Sequence, residues 1–155
     1  MTILIRDAIA ADSSVLVNLM GQLGYPTTQD EMIKRVKLYQ NNQAYNIWVA
    51  ERDGIVVGCI SIALIEYFHR KAQFMRITTL VVDANHRRQG VGKLLMEYAE
   101  AFASKHGCCF IELTSGTHRA KIGSHDFYKS LGYQDLCDVK KYLAKKLSSG
   151  DGRSS

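Results

Sequence analysis

The chain has 155 residues, of which 46% are hydrophobic and 23% charged, enough for one sizeable core without division into two. Twenty Lys+Arg against 15 Asp+Glu leave a net charge of +5, which can steer an anionic ligand but falls short of a nucleic-acid-binding surface, so no nucleic-acid partner is expected. The opening "MTILIRDAIAADS" lacks a basic segment followed by an apolar core, and no stretch approaches the roughly 18 apolar residues of a membrane span. A cytoplasmic protein with no membrane partner is the expectation.

"TILIRDA" reads as a short strand, and Ala10 or Asp12 opens a helix whose Val15, Leu16, Leu19, Met20 and Leu23 recur three and four apart. Gly24-Tyr25-Pro26 breaks it, and Thr27 or Thr28 caps a second helix with Met32, Ile33, Val36 and Leu38 on its inner face. "YNIWVAE" and "IVVGCISIALIEYF" are strands joined by Arg52-Asp53-Gly54, where Asp-Gly supplies the positive φ of a tight hairpin. "QFMRITTLVV" follows as a third strand, so residues 45–82 read as an antiparallel meander. From Gly90 the period becomes helical, with Val91, Leu94, Leu95, Tyr98 and Phe102 on one stripe and Gly107 as terminator. "CCFIELT" is again a strand, and strand, helix and strand over 74–114 form a βαβ crossover with parallel strands. "SHDFYKSLGY" reads as a short helix closed at Gly132, and "YQDLCD" and "VKKYLAKKL" as a strand-like pair, the latter an edge strand with its lysines outward. The fold class is therefore α/β, a mixed central sheet flanked by about four helices. One domain covers 1–147, and the terminal 148–155 is expected to be disordered.

Cys59, Cys108, Cys109 and Cys137 form no CxxC pair and stand near no His at zinc-ligand spacing. Reduced core thiols are expected, with no metal and no nucleophile motif.

The chemistry concentrates in "VVDANHRRQGVGKLL", where a strand runs through Arg87-Arg88-Gln89 into Gly90-Val91-Gly92 at the mouth of a helix. Such a turn exposes backbone N–H groups at the positive end of the helix dipole; glycines let phosphate oxygens approach the main chain, and Arg87, Arg88 and Lys93 add charge. A P-loop would need Gly at position 87 and Ser or Thr at 94, where Arg87 and Leu94 stand. A dinucleotide fingerprint would need Gly at 95, occupied by Leu95, and a parallel sheet instead of a meander. Both nucleotide readings fail on those residues.

Arg87-Arg88-Gln89-Gly90-Val91-Gly92 after "LVVDANH" resembles the signature of the GNAT superfamily of acetyl-CoA-dependent N-acetyltransferases. "IRDAIAADSSVLVNLMGQLGYP", "WVAERDGIVVGCISI" and "IELTSGTHRAKIGSHDFYKSLGYQ" resemble the family's first strand and helix, hairpin and second helical signature, in the same order over residues 3–147. The "LGYP", "ELTSGTHR" and "HDFYKSLGY" combination is similar to a bacterial-type small-molecule branch sometimes grouped with aminoglycoside acetyltransferases, although no acidic run here suits a polycation.

The resemblance implies acetyl-CoA as cosubstrate and a small-molecule or peptide amine as acceptor, and it keeps a homodimer open. It places Arg88, Gln89, Gly90, Val91, Gly92 and Lys93 around the CoA pyrophosphate, with Arg87 opening the motif, and the backbone of Leu80, Val81 and Val82 along pantetheine. A backbone N–H near Val82 would meet the oxyanion, and Tyr128 would protonate the leaving thiolate, while Phe127 stays in the core. The family's frequent strand glutamate is missing: this stretch reads Ile77-Thr78-Thr79-Leu80, leaving Glu66, Glu112, His118, His125 or a water chain as base. Ala84 stands where the family often has Pro, and Tyr25 is a candidate acceptor contact. The alternative is a non-catalytic CoA-binding module, favoured by the absent carboxylate and opposed by Tyr128.

Overall fold

The computed structural model describes residues 2–115 and 123–147. The chain divides into two units, Met1–Leu113 and Thr114–Ser155.

In the first unit, β1 (Ile3–Asp7) leads through a 3-10 turn at Ala10–Asp12 into α1 (Ser13–Leu23) and then α2 (Gln29–Gln40). Three long strands follow, β2 (Tyr45–Arg52), β3 (Ile55–Glu66) and β4 (Gln73–Val82), then α3 (Val91–Lys105) and a short β5 (Ile111–Glu112). The sheet order is β1-β2-β3-β4-β5, antiparallel up to β4 and parallel between β4 and β5. This is the mixed sheet that the meander and crossover predicted. Asp53 (φ 52°) and Gly54 (φ 78°) turn the β2–β3 hairpin with the two left-handed residues that its two-residue loop requires. Thr28 caps α2, its Oγ1 accepting from the Glu31 N–H at 3.2 Å.

Helices cover both faces of the sheet. Leu16 and Leu19 of α1 and Met32 and Val36 of α2 pack with Val49, Cys59 and Val81. A Cβ on Gly58, the neighbour of Cys59, would instead meet Val91 and Leu95 of α3. Successive strand residues face opposite sides, so α3 lies across the sheet from α1 and α2. Its buried row is Val91, Leu95, Met96, Ala99 and Ala103. Leu94, expected on that row, is 39% exposed, while Tyr98 and Phe102 flank the row and pack edge-on against the buried Trp48, ring centroids 5.0 and 4.9 Å away. Leu38 of α2 is likewise exposed, because two residues beyond Val36 lie about 200° around a helix. Cys59 alone among the cysteines is a core thiol; Cys108 is half-buried, and Cys109 and Cys137 are exposed.

At one corner of the unit Arg6 grips Asp12 through two parallel hydrogen bonds of 2.9 Å, and Asp12 also accepts from the Ile9 N–H at 2.9 Å. The Arg6 guanidinium, above all, holds the Asp12 carboxyl below the usual carboxylate range.

In the second unit α4 (Ser124–Ser130) starts after Gly123 (φ 82°) and gives way to Gly132 (φ 91°), as the sequence predicted. Tyr128 and Phe127 are both half-buried, so Phe127 is not the core residue expected. The predicted strand pair over 133–147 is not formed: Leu136–Lys140 is a hydrogen-bonded turn and no described residue beyond α4 belongs to a strand. Alternating composition makes a strand only where a neighbour completes its ladder. His118 and the tail expected at 148–155 lie outside the described residues. No helix among the described residues is long and apolar enough to cross a membrane.

Candidate functional site

The site begins with the unequal lengths of two parallel strands. The β4–β5 ladder pairs Met75 with Ile111 and Arg76 with Glu112 and ends there, whereas β4 continues through Ile77 to Val82. Among the described residues of this unit, no strand pairs with that side of β4 beyond Arg76.

A bulge then decides which backbone groups face the open edge. The β3–β4 register moves from Ile62↔Ile77 to Ser61↔Thr79, leaving Thr78 as an extra residue. Below the bulge Met75 turns its N–H to β5, donating to Phe110 O at 3.1 Å. Above it Asp83 turns its N–H to β3, donating to Val57 O at 2.8 Å. Alternation back from Asp83 points Val81 at β3, as its carbonyl 3.0 Å from a Cβ on Gly58 agrees, and points Val82 and Leu80 at the open edge. Of the three strand residues expected to run along pantetheine, Leu80 and Val82 thus present N–H and C=O outward, and Val81 buries its side chain in the α1/α2 core.

The strand passes into the turn through Asp83 and a 3-10 turn at Ala84–His86. Arg87 is extended, Arg88 is left-handed (φ 62°) and Gly90 left-handed again (φ 84°) as the N-cap of α3. Left-handed backbone at Arg88, a residue with a Cβ, is a strained state that clusters at ligand-holding turns. A Cβ at Gly90 would meet no protein atom within 4 Å, so its glycine is required by conformation and not by space. Among the described residues no side chain caps α3, and Gly90 O takes the first helical bond from Leu94 N at 3.1 Å. The N–H groups of Val91, Gly92 and Lys93 therefore open the helix without intrahelical partners, in the field of the helix dipole. Arg87, Arg88, Gln89 and Lys93 are exposed around them. Gln89 Oε1 accepts from Arg52 at the β2–β3 hairpin, Arg87 Nε lies 3.5 Å from Val82 O, and Lys93 pairs loosely with Glu97 at 3.8 Å.

The structure thus brings Leu80, Val82, Arg87, Arg88, Gln89, Gly90, Val91, Gly92 and Lys93 into one continuous edge and turn. Of the base candidates, the two glutamates of this unit, Glu66 and Glu112, do not converge on it. Glu66 is paired with Gln73 at the far end of the sheet, and Glu112 lies where the β5 ladder stops, 3.6 Å from Arg76. His125 and Tyr128 belong to α4 in the second unit. A broad groove of about 570 Å³, lined by Asp7, Tyr39, Gln40, Asn42 and Tyr45 among others, is at that far end too and contains none of the predicted site residues. Cys59 stands outside the chemistry, its thiol pushed up to about 12 by burial.

Sequence reasoning missed three residues that shape the turn. Gly58 lets Val91 and Leu95 close on the sheet, and an isolated glycine in a strand pattern was its available signal. Asp83 accepts from Asn85 N (3.1 Å) and His86 Nδ1 (2.9 Å), and Gln22 of α1 reaches Asp83 from another element; neither had a local signal. The Asp83 carboxyl is held low, first by Gln22 and then by His86.

Comparison with known proteins agrees with this geometry. The sequence profile of the acetyltransferase (GNAT) family matches residues 16–133. An uncharacterized N-acetyltransferase of Chlorobaculum tepidum is 30% identical over 146 residues, covering 92% of this chain and 81% of its own. Human N-acetyltransferase 8 is 28% identical over 104 residues, 67% of this chain, and the chain spans under half, 45%, of that relative. A GNAT family acetyltransferase structure from Staphylococcus aureus superposes with a TM-score of 0.77 at 25% identity, covering 95% of this chain and 100% of its own. With the glycine turn, the mixed sheet and a profile match over most of its length, the chain belongs to the GNAT acetyltransferase family.

Proposed function

We propose that the protein transfers an acetyl group from acetyl-CoA to a primary amine of a small molecule or peptide, by direct attack within a ternary complex. The observation that carries this reading is the continuity of the open β4 edge with the left-handed turn at the start of α3. The outward N–H and C=O groups of Leu80 and Val82 suit pantetheine, which carries amides that can pair with an open strand as an added strand would. The N–H groups at Arg88–Lys93, with Arg87 beside them, suit the pyrophosphate.

The reaction asks for a neutral amine, a donor for the developing oxyanion and a proton for the departing thiolate. The outward Val82 N–H is the donor, and Tyr128 supplies the proton. β4 itself carries no carboxylate, so the attacking amine loses its proton through water or a group outside that strand. That same absence favours a second reading, a CoA-binding module without chemistry.

Release of free CoA thiol from acetyl-CoA, measured with pools of aminoglycosides, polyamines, amino acids and peptides, separates the two. Amine-dependent release above the no-amine control is expected. Binding of acetyl-CoA with no release in any pool would support the module instead.

A further inference from the structure

We infer that Gln22 is a positioning residue for the cofactor turn, tying the last turn of α1 to the point where β4 becomes that turn. The inference rests on the proposal that this turn holds the CoA pyrophosphate. Every polar group of the Gln22 amide is engaged. Nε2 donates to Asn18 Oδ1 one helical turn back at 2.8 Å and to Asp83 Oδ1 at 2.7 Å, while Oε1 accepts from the Ala84 N–H at 2.9 Å. The amide can face only one way, since a flipped Oε1 would confront the Asp83 carboxylate.

Asp83 passes the restraint onward. Its Oδ2 accepts from Asn85 N and His86 Nδ1, so Gln22, Asp83 and the 3-10 turn at Ala84–His86 form one connected network directly before Arg87 and the left-handed Arg88. The strained backbone at Arg88 persists only where its surroundings determine it, and this network supplies that on the strand side. Ala84 acquires a meaning that composition alone did not give it. Its N–H is the one Gln22 accepts from, and a proline there would have none. Gln22 lies in the last turn of α1, so one side chain joins the end of that helix to the cofactor turn.

The test is the affinity for two probes, acetyl-CoA and acetyl-pantetheine, which lacks the pyrophosphate, measured by calorimetry or NMR on the full chain. Gln22→Met keeps length and helix preference while removing the amide. It is expected to weaken acetyl-CoA about 3- to 10-fold, the range of one or two modest hydrogen bonds, and to leave acetyl-pantetheine unchanged. Ala84→Pro, compatible with the extended Asp83 before it (φ −52°, ψ 136°), should weaken acetyl-CoA alone in the same way and add nothing in a Gln22→Met background. Unchanged acetyl-CoA affinity in Gln22→Met, equal losses for both probes, or additive losses in the double variant would overturn the inference. Gly90→Val separates the two levels. If it abolishes acetyl-CoA binding while Gln22→Met does nothing, only the role of Gln22 falls; if it too is silent, the pyrophosphate turn falls with it.

Discussion

Ser61 Oγ and Thr78 Oγ1 share a hydrogen bond of 2.6 Å at the one position of β4 that the β3 ladder skips. The pair fastens the bulge that turns Leu80 and Val82 outward. Ser61 is only 8% exposed, so Thr78→Val leaves a buried hydroxyl without its partner. A loss of about 1–3 kcal/mol in urea denaturation is expected, with Thr78→Ser close to wild type. Equal stability of the two variants would show that the hydroxyl pair does not hold the bulge.

Gly58 is the contact point between sheet and helix. A Cβ there lies 3.0 Å from Val81 O, 3.2 Å from Val91 Cγ1 and 3.3 Å from Leu95 Cδ1. Gly58→Val should destabilise by about 1–3 kcal/mol and weaken acetyl-CoA, because Val91 is the first residue of α3. A variant with full affinity would mean that the turn tolerates displacement of its helix.

Asp12 gives a pH signature. Its carboxyl is held below its unfolded value of about 3.9 by Arg6, so the ion pair adds stability above that pH and loses it as pH falls through the lower folded value. Asp12→Asn is expected to cost about 1–3 kcal/mol at pH 7 and progressively less below about pH 3.9. A difference from wild type that stays constant across this range would refute the assignment.

Tyr128→Phe tests the proton donor. A fall in kcat on the order of 10²-fold with acetyl-CoA affinity nearly unchanged is expected once an acceptor is in hand. Undiminished turnover would assign the proton to another group.

The elements legible in the sequence were those with local signals. Asp53-Gly54 announced its hairpin, the apolar runs of β2 to β4 their meander, and Gly90-Val91-Gly92 the phosphate turn. Leu38 and Leu94 were misplaced because apolar spacing gives a helix its face only to within a residue or two, and the small Ala99 and Ala103, which let α3 approach the sheet, carry little hydrophobic weight in a sequence. The strand pair expected at 133–147 failed for want of ladder partners, which alternation cannot reveal. Neither the bulge at Thr78 nor the tie from Gln22 to Asp83 and Ala84 has a local signature. One depends on register between strands, the other on residues about 60 positions apart.

Whether the open β4 edge and the α3 turn together form the acetyl-CoA site is decided by an amide-resolved NMR titration of the ¹⁵N-labelled protein with CoA. The largest shifts are expected at Leu80, Val82 and Arg88 through Lys93, with residues lining the far-end groove, such as Tyr39 and Tyr45, unmoved. Shifts centred on that groove, or none at the turn under saturating CoA, would place the cofactor elsewhere.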